Sequence, residues 1–61
     1  MYVLARDIHI GNVTISKGTR LSDLYDGAPD NKWYAIAYPS VGGRIKITLY
    51  RDEFKFVEAN S

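Results

Sequence analysis

The single histidine, His9, and the serines Ser16, Ser22 and Ser40 are the side chains from which a nucleophile–base pair would be built. Such chemistry needs a hydroxyl held within hydrogen-bond reach of the base. No nucleophile-elbow pattern surrounds any of the three serines. His9 therefore reads as a solvated side chain beside a turn. Asp23, Asp26 and Asp30 cluster along the chain but lack the alternating spacing that wraps calcium, and they flank a stretch where turn-forming aspartate is expected. Gly11-Asn12 and Gly42-Gly43 are hairpin turns, with no helix pattern after them whose first amides would cradle a phosphate. No catalysis, metal or cofactor is expected.

Binding is the chemistry that the remaining residues suit. Trp, Tyr and Arg anchor interfaces because they bury much area while freezing few rotamers. Trp33, Arg6, Tyr50 and Tyr38 are of these types, with Tyr25 as a further candidate and Lys46 beside them. Trp33 shares one face of a strand with Ala35 and Ala37, whose small side chains would leave a shallow floor beside its ring. The competing reading has Trp33 capping the core over Ala35 and Leu24. Trp33, Tyr50, Lys32, Lys46 and Arg44 would also suit base stacking and phosphate contact.

The element that must position these residues is Lys32 to Tyr50, which alternates with a period of two on both sides of Pro39-Ser40-Val41-Gly42-Gly43. Tyr34, Ile36 and Tyr38 fall on one face of the first arm, and Trp33, Ala35 and Ala37 on the other. On the second arm Ile45, Ile47 and Leu49 oppose Arg44, Lys46, Thr48 and Tyr50. Burying the aliphatic row against the Tyr34 row puts Trp33 on the wetter side.

Before this hairpin, a strand is expected from Tyr2 to Arg6, a loop after it, a strand over Val13 to Ser16 and another over Thr19 to Leu24. Asp26 to Lys32 combines Asp, Gly, Pro and Asn and reads as a loop. Arg51-Asp52-Glu53 suits one 3₁₀ turn, Phe54 to Val57 a closing strand, and Glu58 to Ser61 a frayed end.

The chain has 61 residues, of which 46% are hydrophobic and none is cysteine, so a single domain over 1–61 must fold without disulfides or thiolate metal staples. Eight basic and seven acidic side chains give a net charge of +1, dispersed in ones and twos. That balance supplies little of the phosphate attraction that dominates nucleic-acid affinity. Arg6 and Asp7 interrupt any signal-peptide core, and no apolar run approaches membrane-spanning length. A soluble cytoplasmic protein is expected.

Short strands with close turn signals argue for an all-β barrel or sandwich. The order of residues resembles an SH3-like barrel. Ala5-Arg6-Asp7-Ile8 stands where that family ends its ALYDY motif, and Val13 to Leu21 is similar to its LSFKKGDxL segment. Trp33-Tyr34 stands at its Trp-Trp pair, Gly42-Gly43 at the distal turn, and Leu49 to Val57 at the 3₁₀ turn and last strand. The resemblance implies a five-stranded, partly open barrel with a short 3₁₀ turn before the last strand, and binding rather than catalysis. Of the aromatic set that grips polyproline in eukaryotic members, Trp33 alone stands in place. Arg6 and Ile8 replace the two motif tyrosines, and the stretch from Ile8 to Val13 is short and lacks an acidic cluster. The closer likeness is to small bacterial and phage SH3-like proteins.

The expectation is thus a non-enzymatic protein-binding module, modulating or inhibiting a larger protein or complex through Trp33, Arg6, Tyr50, Lys46 and Tyr38. Its partner would be another protein or a second copy, in the host cytoplasm if the source is a phage. The alternative is a nucleic-acid-binding barrel using the same face.

Overall fold

The computed structural model describes residues 1–58. Seven strands form: β1 (Tyr2–Leu4), β2 (Ile8–Ile10), β3 (Val13–Ile15), β4 (Arg20–Ala28), β5 (Lys32–Tyr38), β6 (Ile45–Leu49) and β7 (Phe54–Phe56). One 3₁₀ turn at Pro29–Asn31 joins β4 to β5, and a second at Arg51–Glu53 leads into β7. The strands make an antiparallel five-stranded sheet in the order β6-β5-β4-β1-β7, with β2 and β3 paired as a separate hairpin. The all-β class and the 3₁₀ turn before the last strand are as expected. The sheet does not close on itself, since β6 and β7 are its two edges.

Beyond shifts of one residue, three stretches differ from expectation. The first strand stops at Leu4, and the supposed loop after it contains β2, whose Ile8 pairs with Ile15 and Ile10 with Val13. Asp7 holds this hairpin to the turn that follows it, because the Lys17 N–H donates to Asp7 Oδ1 at 2.7 Å. The Asp26 to Lys32 loop shrinks to Pro29–Asn31, because β4 runs on through Asp26, Gly27 and Ala28. Two register shifts, between Ser22 and Tyr25 and between Asp26 and Ala28, carry it there. Each has a residue at positive φ, Asp23 at 55° and Gly27 at 155°. The fraying expected over Glu58 to Ser61 lies, past Glu58, outside the described residues.

The core gathers Leu4, Ile15, Leu21, Ala35, Ala37, Ile47, Leu49 and Phe54, with Ile8, Leu24, Trp33 and Ile45 packed against it. This reverses the expected faces of β5. Trp33 pairs with Leu49, Ala35 with Ile47 and Ala37 with Ile45. Residues directly opposite in an antiparallel pair lie side by side on one face of the sheet. The aliphatic row of β6 therefore takes the Trp33 row inward with it, and Tyr34, Ile36 and Tyr38 turn outward. Ala35 and Ala37 are 3% and 0% exposed. Their small side chains are the core-facing positions of β5 rather than a surface floor.

Candidate functional site

The corrected faces move the exposed aromatic surface from Trp33 to Tyr34, Tyr25 and Tyr50. Trp33 is partly buried and meets Phe54 edge-on, with ring centroids 5.5 Å apart at 69°. Phe54 is 3% exposed and carries the Arg51 guanidinium over its ring at 4.7 Å. Trp33 thus packs against the core, on Phe54.

Between the β2 hairpin and β6 lies a groove of about 540 Å³. Ile8, His9 and Ile10 form one wall, and Lys46, Ile47 and Thr48 the other. Lys32, Tyr34, Tyr50 and Glu53 complete it. Tyr34 and Tyr50 are 45% and 48% exposed. Tyr34 is backed by the ring of Tyr25, stacked at 6.3 Å and 18°. That stack exists because the β4 bulges bring Tyr25 opposite Tyr34, and because Gly27 leaves space beside the Tyr25 ring. A Cβ on Gly27 would lie 3.1 Å from Tyr25 Cε2.

Cations surround these rings. Lys32 Nζ sits 4.7 Å above the Tyr50 ring, a distance at which the ring quadrupole attracts an ammonium. Lys46 lies on the same sheet face as Tyr34, since Lys46 pairs with Ile36 and Thr48 with Tyr34. The single carboxylate in the groove, Glu53, is already engaged. Its Oε1 accepts the Tyr50 backbone N–H at 2.7 Å, and its Oε2 lies 3.9 Å from Arg6 Nε. Arg6 also donates to Asp52 Oδ1 at 3.1 Å. The groove lining therefore carries two lysines against one carboxylate, and among the described residues neither Lys32 nor Lys46 is in an ion pair.

Of the five residues expected to bind, the structure brings Tyr50 and Lys46 together in this groove. Arg6 reaches it only through Glu53. Tyr38 stands elsewhere on the sheet, its hydroxyl accepting from Ser22 Oγ at 2.9 Å and Arg20 lying over its ring at 5.4 Å. Trp33 belongs to the core side. Tyr34, Ile10 and Lys32 are among the groove residues that the expected set lacks. His9, read as solvated, also lines it, with Nδ1 3.0 Å from Thr14 Oγ1.

No family model, curated protein or solved structure matches this chain. Among the described residues no cluster of three or more His, Asp or Glu is placed to hold a metal ion. No helix among them is long and apolar enough to cross a membrane.

Proposed function

We propose that the chain is a non-enzymatic protein-binding module that modulates or inhibits a larger protein or complex, and that its docking site is the groove between β2 and β6. The observation that carries the reading is the groove's composition. Two half-exposed tyrosines and two lysines surround it, with isoleucines along its walls. Aromatic anchors within a polar, charged rim are the arrangement that stable protein interfaces use. Tyr34, Tyr50 and Lys46 are its anchors, and Trp33 packs on the core side of the sheet.

An SH3-like build is part of this proposal. Its support is the 3₁₀ turn before the last strand, which stands where the sequence resemblance implies one. The resemblance to bacterial and phage proteins of this type suggests action in the cytoplasm, the host's for a phage. The polyproline mode does not fit, since Trp33 packs on Phe54 and Arg6 pairs with Asp52.

The interleaving of Lys32, Tyr50, Tyr34 and Lys46 favours one second reading, a nucleic-acid binder that stacks bases in the same groove. Two experiments separate them. Affinity capture from a lysate of the source organism compares the wild type with Tyr34→Ala. Loss of specific partners from a folded variant supports the module, and unchanged capture removes the groove. Titration with labelled DNA and RNA at low and moderate salt tests the second reading, which requires binding that weakens steeply with salt.

A further inference from the structure

The walls of the groove have a geometry that side-chain chemistry alone does not explain. Successive side chains of a strand point to opposite faces, so one face of a strand lines a groove with every second residue. Here Lys46, Ile47 and Thr48 line it in succession, and so do Ile8, His9 and Ile10. A wall built in that way is the edge of a strand. β6 is the terminal strand of its sheet, and among the described residues it pairs only with β5. Among the same residues β2 pairs only with β3. The groove is therefore a slot between two strand edges, and β6 presents to it backbone N–H and C=O groups that have no partner strand.

We infer that an extended, acidic segment of the partner protein enters this slot and adds to β6 as a further strand. The inference rests on the protein-binding reading above and states what kind of segment the groove takes. Strand addition draws affinity from main-chain hydrogen bonds and selectivity from alternate side chains. Lys46 and Thr48 lie on one face of β6 and buried Ile47 on the other. A segment alternating Glu or Asp with Val or Ile meets both faces. Its carboxylates reach Lys46 and Lys32, and its aliphatic side chains lie toward Ile47 and Ile8. Glu53 opposes them less than a free carboxylate would, because one of its oxygens accepts the Tyr50 N–H and the other lies 3.9 Å from Arg6. A second copy of this chain is the poorer occupant, since its β6 would bring another Lys46 into a slot that already holds two lysines. An edge lysine is a common guard against such self-pairing.

The test is a ¹⁵N NMR titration with defined peptides at concentrations up to the millimolar range. The probes are an alternating Glu-Val hexapeptide, its Lys-Val counterpart, and two Glu-Val versions N-methylated at either the Glu or the Val positions. The expected result is that the Glu-Val peptide shifts Ile8 to Ile10 and Ile45 to Leu49 and slows amide exchange in β6. One of the two N-methylated versions, whichever loses the amides facing β6, binds at least about tenfold more weakly, a difference of about 1.4 kcal/mol. Lys46→Glu, which changes an exposed side chain on the sheet edge, reverses the preference between the Glu-Val and Lys-Val peptides. Equal binding of both N-methylated peptides and their parent overturns strand addition, as does equal binding of the Lys-Val peptide. Absence of any shift at β2 and β6 overturns it too. If lysate partners are nonetheless captured in a Tyr34-dependent way, the module stands and only the strand-addition mode falls.

Discussion

Replacing Trp33 with alanine separates a core residue from a surface anchor. A tryptophan side chain buries about 150–250 Å² when enclosed. At about 25 cal/mol per Å², that is about 4–6 kcal/mol. Trp33 is partly buried, so roughly half of this applies, about 2–3 kcal/mol. Its edge-on pairing with Phe54 adds about 1 kcal/mol. Trp33→Ala should then cost about 3–4 kcal/mol. A chain of this length has a total stability of roughly 3–9 kcal/mol at about 0.05–0.15 kcal/mol per residue, so the variant should be marginal or unfolded. Urea denaturation followed by far-UV circular dichroism reads this directly, without depending on the lost fluorophore. With a slope of about 1 kcal/mol per molar urea, the midpoint should fall by about 3 M. A shift below about 1 M would refute the inward placement of Trp33 and restore it as a surface residue.

Other substitutions probe the parts that shape the groove. Gly27→Ala forces a side chain into a backbone at φ 155° with its Cβ 3.1 Å from the Tyr25 ring, and should cost about 1–3 kcal/mol. Tyr25→Ala in the same chain should recover the steric part, as a double-mutant cycle by urea denaturation would measure. Glu53→Ala removes the acceptor of the Tyr50 N–H and should cost about 1 kcal/mol, the scale of a lost helix cap, while Glu53→Gln should keep much of it. Asp52→Ala removes the exposed pair with Arg6, whose side chains are 77% and 56% exposed. The thermal midpoint should therefore barely move, because such pairs contribute about 0–1 kcal/mol.

The hairpin of β5 and β6 was legible in the sequence because alternation runs along both arms and Gly42-Gly43 marks the turn. Alternation yields two faces without saying which one is buried. The register across that turn holds the missing information: Ile45, Ile47 and Leu49 stand opposite Ala37, Ala35 and Trp33. Reading the two arms as neighbours in one sheet, rather than as surfaces packed on each other, would have turned Trp33 inward. β2 was hidden because it is three residues long and follows the charged pair Arg6-Asp7. The pairing of Tyr25 with Tyr34 was not legible at all. It depends on bulges at Asp23 and Gly27 that carry β4 through residues typical of a loop. Lys46 and Tyr50 could be found from residue type alone, whereas Tyr34 needed the correct face and Ile10 needed the β2 hairpin.

The measurement that bears most directly on the groove is partner capture with three chains shown by circular dichroism to be folded: wild type, Trp33→Phe and the double variant Tyr34→Ala, Lys46→Glu. Trp33→Phe keeps an aromatic ring against Phe54 and should retain the wild-type partners. The double variant removes an exposed ring and reverses a charge in the groove, and should lose them. Partners that persist on the double variant, or vanish with Trp33→Phe, would contradict a docking site between β2 and β6.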